Sequence, residues 1–208
     1  MDKEKFKGIL KETIETVVFV VVAIIIIRFF IGEIRWIPSA SMRPTLVEGD
    51  RVFVERVSRL FSVEPKRGDI MIFYPPQEHL EATPLKIFSR LTGFFCKDIA
   101  YIKRVIALPG EKIEVSHNED GTTDILINDK ALNEPYIMDK SEYPVCTPEM
   151  ECGPMILGED EYFMMGDNRG HSADSRYWGV LKKERFIGRA KVLFWPFTHF
   201  KYFEHKSY

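Results

Sequence analysis

Short runs of five to eight residues, some alternating between hydrophobic and polar and some continuously apolar, fill most of the chain after residue 50, and this pattern predicts β-strands. The runs are "DRVFVERV", "GDIMIFY", "IAYIKRVIALPG", "EKIEVS", "DILIN" and "GRAKVLFWPF", and Gly, Pro, Asn or Asp residues separate them. No amphipathic helix of about 12 residues lies between them, as an α/β fold would need. The pattern therefore predicts a mostly β domain.

One long hydrophobic run near the N-terminus breaks this pattern. The segment "VVFVVVAIIII" covers Val17–Ile27 without a polar residue. A helix from Thr13 to Ile31 would be about 28 Å long, close to the ~30 Å thickness of a bilayer core. Arg28 could extend its side chain to the interface. We predict a cytoplasmic tail and transmembrane anchor over residues 1–31 and a separate, β-rich domain over residues 32–208.

Two other interpretations of the hydrophobic run were weighed. A cleaved secretory signal would use "SAS" as its small-residue site, but Glu33, Arg35 and Trp36 separate that site from the run. A buried helix in the core of a soluble domain is disfavoured, because the many Val and Ile residues in the run have low helix propensity. Basic residues on the two sides of the run differ too little in number to decide its orientation. A retained anchor is the interpretation that the sequence favours.

Composition narrows the classes of protein further. The chain has 208 residues and a formal net charge of −2, so it shows no nucleic-acid-binding footprint. Two aromatic-rich segments, "LKIFSRLTGFF" and "LFWPFTHFKYF", fit either ordinary core or a patch resting on a bilayer. Both interpretations stay open at this point.

The three cysteines indicate whether the domain lies in an oxidising compartment. Cys146 and Cys152 lie in the loop "CTPEMEC", and their spacing could close a small disulfide ring in an oxidising compartment. The alternatives are free thiols or half of a metal site. Because there is no second Cys pair and no His nearby, we expect no metal. A disulfide favours residues 32 onward lying outside the cytosol, and it would leave Cys96 unpaired.

The segment "IPSASMRPTL" carries the first candidate chemistry. Pro38 and Pro44 fix φ at both ends and restrict the residues before them. Ser41 then sits exposed in a stiff turn, as a nucleophile should. The alternative is an ordinary serine-rich turn.

The segment "YIKRVIAL" carries the second. In a strand, Lys103 and Arg104 face opposite sides, so each face has one basic residue among apolar ones. Burial lowers a lysine pKa from about 10.4 by up to ~3–5 units, and a neutral amine can act as a general base. The alternative is a lysine on the exposed face of an edge strand.

The polar loop "GDNRGHSADSRYWG" is the third candidate segment. It fails the EF-hand pattern, because Arg169 stands where a calcium ligand is needed and no Glu closes the loop. It could instead hold Asp–Arg pairs that position other groups. A Ser-His-Asp triad through His171 and either Asp174 or Asp167 is compatible with the composition. Such a triad leaves Lys103 unexplained.

Together, these segments resemble bacterial type I signal peptidases, the membrane-bound Ser-Lys proteases. "PSASMRPTL" resembles the nucleophile box of that family and "RGDIMIF" the strand box that follows. "YIKRVIALPGEKI" resembles the lysine box, "INDKALNEPY" the linking hairpin, and "GDNRGHSADSRYWG" the C-terminal box. The resemblance covers most of residues 35–196. It implies a β-rich catalytic core with an inserted smaller β region at about residues 112–158.

The resemblance also implies a role for each residue nearest the reaction. Ser41 would be the nucleophile and Lys103 its general base. Ser39 would add a hydroxyl to the oxyanion hole beside the Ser41 amide. Ser172 would hydrogen-bond the Lys103 amine and orient it.

Four charged residues would support this arrangement. By the same resemblance, Asp174 and Arg176 would brace the C-terminal loop, and Asp167 could pair with Arg104. We expect no catalytic role for His171, and no cofactor.

The resemblance implies a substrate and a location as well. The substrates would be signal peptides of secreted preproteins with A-x-A-type cleavage sites. The enzyme would be a monomer with a single pass through the bacterial plasma membrane and its catalytic domain on the extracytoplasmic face of the lipid bilayer. Two alternatives remain, a dedicated pre-protein peptidase of a pilus or conjugation system and a non-catalytic, membrane-anchored β binding module.

Overall fold

The computed structural model describes residues 3–92, 98–138, 143–144, 146–148 and 150–204. Cys96, which the predicted disulfide would leave over, lies outside these residues, as do Phe94 and Phe95 of the first aromatic-rich segment.

A long N-terminal helix precedes the β-strands. Helix α1 covers Lys3–Ile26 and continues as a π-helical turn over Ile27–Ile31. Within Lys7–Ile31 the most apolar window of 18 residues has a mean hydropathy of 2.8, and this helix is long and apolar enough to cross a membrane. It begins well before the predicted Thr13, because the Lys- and Glu-rich tail consists largely of good helix formers. The short helices are α2 (Val57–Leu60), α3 (Pro84–Thr92) and α4 (Ser175–Trp178).

The rest of the described chain is mostly β, as predicted. The strands are β1 (Gly32–Trp36), β2 (Arg51–Glu55), β3 (Ile70–Phe73), β4 (Tyr101–Ala107), β5 (Lys112–His117), β6 (Thr123–Ile127), β7 (Lys130–Ala131), β8 (Met155–Ile156), β9 (Glu161–Met165), β10 (Leu181–Lys182), β11 (Phe186–Trp195) and β12 (Lys201–Tyr202). The six predicted runs form β2 to β6 and β11. The pattern did not reveal β9, because "EYFMM" is buried at four successive positions and does not alternate.

The strands form two antiparallel sheets. The larger has the order β1-β2-β11-β3-β4-β9-β10, with β12 also paired to β11. The smaller has the order β7-β6-β5-β8 and lies wholly within residues 112–156. Ile113 and Ile125 of the smaller sheet share a buried cluster with Ile106, Phe163 and Met165 of the larger one. This common core fixes the smaller sheet against β4 and β9.

Both aromatic-rich segments have exposed residues outside the core, although Leu193 at the start of the second is buried in it. In α3 the side chains of Leu85 and Phe88 are exposed, with Leu85 exposed by 77%. Phe197 and Phe200, near the C-terminus, are exposed as well. The core interpretation is therefore wrong for these four residues, and their exposure agrees with the bilayer interpretation.

A buried carboxylate joins the end of the apolar helix to the larger sheet. Glu33 accepts from Arg28 at 2.6 Å and from Arg35 at 2.5 Å, and it lies 3.1 Å from Arg56. Burial alone would raise the pKa of Glu33, but the three guanidinium groups outweigh it and lower that pKa. Because Glu33 is in β1, this cluster holds the start of the sheet next to the end of the apolar helix. Ser41 follows within a few residues.

Candidate active site

Ser41 lies in a 3₁₀ turn over Ala40–Met42 that the hydrophobic core holds from both sides. Ile37, Met42 and Leu46 are buried together in the core of the larger sheet. The Leu46 N–H donates to the Met42 carbonyl at 2.9 Å, and this hydrogen bond fixes the backbone directly after the turn. Ser41 is itself buried, so the prediction of an exposed serine is wrong, because these core neighbours hold the turn against the sheet.

Lys103 lies in β4, between β3 and β9 in the middle of the larger sheet. Met71 of β3 stands opposite it in the antiparallel register. Lys103 and Arg104 are both only 4% exposed, although they point to opposite faces. Every residue of β4 from Ile102 to Ala107 is buried, so both faces of this interior strand are covered. The interpretation of Lys103 as a surface lysine on an edge strand is therefore wrong.

The two residues meet although 62 positions separate them in the sequence. Lys103 Nζ and Ser41 Oγ lie 2.6 Å apart, within hydrogen-bond distance. Ser39 Oγ lies 3.3 Å from Ser41 Oγ on the other side. When the amine is neutral, the Ser41 hydroxyl can donate its proton directly to Nζ.

The surroundings of Lys103 favour that neutral form. The pKa of Lys103 is lowered from 10.5 to about 8, chiefly by burial, and the charge of nearby Arg176 acts in the same direction. Asp174 and Asp167 oppose this shift, because their negative charges stabilise the ammonium form. Desolvation dominates, so a substantial fraction of the amine is neutral at mildly alkaline pH.

The loop after β9 packs directly on the serine turn. Asn168 donates its backbone N–H to the Ser41 carbonyl at 3.2 Å and its Nδ2–H to the Ala40 carbonyl at 3.1 Å. Gly166 allows this approach, because a Cβ there would lie 2.4 Å from the Ser41 carbonyl oxygen. The sequence analysis did not single out Asn168 or Gly166. Their only signal was membership of the polar loop.

Ser172 lies in this loop and is buried, but the bond predicted for it is not made. Among the described residues its Oγ has no hydrogen-bond partner, so it does not donate to or accept from Lys103 in this structure. The hydroxyl lies beside Gly166, where a Cβ would be only 2.3 Å away. Close packing accounts for its position. Its predicted orienting role is not visible in the hydrogen bonds.

Asp174 and Arg176 form a fully buried ion pair that braces the loop. Asp174 accepts from Arg176 Nε at 2.8 Å and from Nη2 at 2.9 Å. It also accepts from the Gly166 N–H at 3.0 Å, and Arg176 donates to the Arg169 carbonyl at 2.8 Å. One pair of side chains thus ties the two ends of the loop together.

Asp167 and Arg104 meet in the same way on the other face of β4. Two contacts of 2.8 and 2.5 Å join the guanidinium to the carboxylate. The Tyr136 ring stacks on Arg104 with 4.0 Å between the guanidinium carbon and the ring centroid. This pair fixes the loop to the strand that carries Lys103.

A second buried pair in this region was not foreseen. Arg169 binds Glu134, which lies in the segment after β7, and both side chains are at most 1% exposed. Tyr136 and Tyr143 donate their hydroxyls to the Glu134 carboxylate at 2.9 and 3.0 Å. The sequence separates the partners by 35 residues, and neither residue stood out from its neighbours.

Two further predictions concern His171 and the cysteines. His171 is exposed, whereas the Ser41 hydroxyl contacts Lys103 and Ser39, so the structure gives no support to a triad through this histidine. Cys146 and Cys152 form a disulfide. Inside that ring, the Glu151 N–H donates to the Arg176 carbonyl at 2.7 Å and attaches the ring to the loop.

The sequence model of the family described as signal peptidase, peptidase S26, matches residues 10–195. The chain belongs to this family. It is 38% identical to a probable signal peptidase I-2 of Synechocystis over 88% of this chain and 72% of the relative. It is also 38% identical to a signal peptidase I of Leptolyngbya laminosa over 90% and 80%. A crystal structure of an Enterococcus faecalis signal peptidase I covers 61% of this chain and 96% of its own, with 28% identity and a TM-score of 0.39.

This membership confirms the predicted activity class. The chain is a serine peptidase of the signal peptidase family, a hydrolase that removes signal peptides. The non-catalytic binding module is thereby set aside.

The depressed pKa of Lys103 predicts the pH dependence of a signal peptidase that uses this amine as its base. We expect kcat/KM to rise about tenfold per pH unit below pH 7 and to level off above an apparent pKa of about 8, since only the neutral amine accepts a proton. Initial rates on a peptide substrate between pH 6 and 10 measure this. A rate that keeps rising to pH 10 would indicate a lysine of ordinary pKa and contradict the assignment.

Proposed function

We propose that Ser41 and Lys103 form the catalytic dyad with which this chain cleaves signal peptides. One observation supports this most strongly: a buried amine with a lowered pKa lies 2.6 Å from a serine hydroxyl in a fixed turn. That distance is within the range required for direct proton transfer between nucleophile and base.

The reaction is acyl transfer. Neutral Lys103 Nζ takes the proton from Ser41 Oγ as that oxygen attacks the scissile carbonyl. The resulting ammonium protonates the departing amine, which leaves the signal peptide as an ester on Ser41. Nζ then removes a proton from a water molecule that attacks the ester, and the proton returns to Ser41 as the acid product leaves.

Donors for the oxyanion lie beside the nucleophile. Ser41 is in the first turn of a 3₁₀ segment, where N–H groups have no acceptor within the helix. Its amide is therefore available to the developing oxyanion, and the Ser39 hydroxyl lies close enough to contribute a second donor. Such a donor typically lowers the barrier by ~2.7–4 kcal/mol.

The anchor places this site beside the substrate. The apolar helix over Lys7–Ile31 would cross the bacterial plasma membrane once, with residues 32 onward forming the catalytic domain on the extracytoplasmic face. The disulfide between Cys146 and Cys152 supports that side, since disulfides persist in oxidising compartments. Signal peptides are themselves membrane-held, so a serine ten residues beyond the helix meets the scissile bond at the bilayer surface.

The proposed substrates have small residues at the cleavage site. We expect leucine in place of alanine at either small position of an A-x-A site to slow cleavage by at least about tenfold. The reason is that the rigid turn around Ala40 suits shallow substrate pockets, which a leucine side chain would not fit. A matched set of peptides cleaved by the full-length chain in detergent measures this. Equal rates for leucine and alanine would refute the size limit. A panel of secreted preproteins separates a general signal peptidase from one dedicated to a single pre-protein.

A further inference from the structure

A cavity of about 620 Å³ lies away from the proposed dyad, and its lining has more cationic than anionic side chains. Neither Ser41, Lys103 nor the loop after β9 contributes to it. Its charged lining residues are four arginines and two glutamates, Arg56, Arg59, Arg90, Arg185, Glu78 and Glu184. The formal charge of the lining is therefore positive.

Two of these arginines form no ion pair with a described carboxylate, so their positive charges are not neutralised in this way. Arg59 forms no salt bridge with any carboxylate in the described part of the chain. Within the described part of the chain, the hydrogen bonds of Arg185 go to the carbonyl oxygens of Pro75 and Glu78, which carry no formal charge. Burial and the neighbouring charge of Arg56 also lower the pKa of Arg59, as expected for a guanidinium that lacks a counter-charge.

The cavity lies beside the end of the apolar helix. Helices α2 and α3 form part of its wall, and both pack against the π-helical turn Ile27–Ile31. Ile87 of α3 lines the cavity, while Leu85 and Phe88 are exposed on the same helix. Cationic and apolar groups are thus adjacent at the point where the chain would leave the bilayer.

We propose that this cavity binds the phosphate group of an anionic phospholipid from the adjoining leaflet. Guanidinium groups bind phosphate oxygens through paired hydrogen bonds, so Arg59 and Arg185 match this headgroup. The acyl chains would lie along Leu85 and Phe88, as apolar side chains at a membrane surface do. Such a lipid would hold the catalytic domain in one orientation on the bilayer. The inference rests on the membrane anchoring proposed above.

The test is native mass spectrometry of the full-length chain released from detergent, titrated with phosphatidylglycerol, phosphatidylcholine or inorganic phosphate. We expect retention of one phosphatidylglycerol in preference to the other two. Arg59→Gln should weaken that retention about tenfold, the effect of one lost charge-assisted contact. Lys130→Gln, which removes an exposed charge on β7 of the smaller sheet, is the matched control and should change nothing.

Three results would overturn the proposal: equal retention of phosphatidylcholine, retention of inorganic phosphate as tight as that of the lipid, or undiminished binding by Arg59→Gln. Inorganic phosphate binding would assign the cavity to a soluble anion. The proposed dyad is tested separately in the same preparations. Ser41→Ala should lose peptide cleavage and keep the lipid, whereas Arg59→Gln should keep cleavage of a short soluble peptide and lose the lipid.

Discussion

Replacing either member of the dyad with alanine is expected to reduce preprotein cleavage by about 10⁴-fold or more. Ser41→Ala removes the attacking oxygen, and Lys103→Ala removes the base 2.6 Å from it. Residues that act as one unit lose nearly the full effect with either change, so the double variant should be no slower than each single one. The measurement is single-turnover cleavage of a preprotein by the full-length chain in detergent.

The control for this prediction is Lys112→Ala, which removes an exposed lysine from β5 and should leave the rate unchanged. The folding of the wild type and of the Lys103 variants must be compared as well, so that a loss of activity is not a loss of structure. Because Lys103 is buried with a lowered pKa, its ammonium form costs stability of about 3 kcal/mol below pH 8. That cost fades as the pH rises from about 8 towards 10.5, where the unfolded chain also loses the proton. Lys103→Met should therefore not unfold the protein at pH 7. Activity within tenfold of wild type in either alanine variant would contradict the dyad.

Replacing Asp174 with alanine is expected to destabilise the chain by ~3–5 kcal/mol, the usual cost of stranding one partner of a buried ion pair. Arg176 and Asp174 are both fully buried, so the guanidinium left behind cannot reach water. The change also removes the acceptor for the Gly166 N–H and the side-chain cap of α4. Thermal unfolding in detergent, followed by circular dichroism, should show the transition ~6–20 °C lower.

The matched control is Asp129→Ala. Asp129 also pairs with a cation, Lys112, but its side chain is 71% exposed. Exposed pairs contribute only ~0.2–1 kcal/mol, so this variant should unfold within a few degrees of wild type. Similar unfolding temperatures for the two variants would show that the buried pair does not brace the loop.

The local pattern of the sequence was enough to predict most of the sheet, whereas the pairing of Ser41 with Lys103 was predicted from the resemblance to a family. Alternation located β2, β5 and β6, because one face of each is buried and the other is not. Lys103 stood out because a basic residue within an apolar strand needs an explanation. The motif order then linked it to Ser41.

The contacts that depend on long-range packing could not be predicted in this way. Arg169 and Glu134 come from separate segments, and only the docking of the smaller sheet brings them together. The hydrogen bonds from Asn168 to the serine turn arise from the same docking. For Ser172, in contrast, the sequence predicted a hydrogen bond that the structure does not contain. A role carried over by resemblance specifies a partner but does not ensure the hydrogen-bond geometry.

Direct titration of Lys103 tests the central claim, that a neutral amine next to Ser41 serves as the base. Full-length chain with ¹³Cε-labelled lysine in detergent gives one NMR signal that is missing from Lys103→Met and therefore identifies this residue. We predict that this signal titrates with a pKa of about 8, matching the pH profile of kcat/KM. A midpoint near 10.5, the ordinary value for a lysine side chain, would show that the amine stays charged at working pH and would contradict the mechanism.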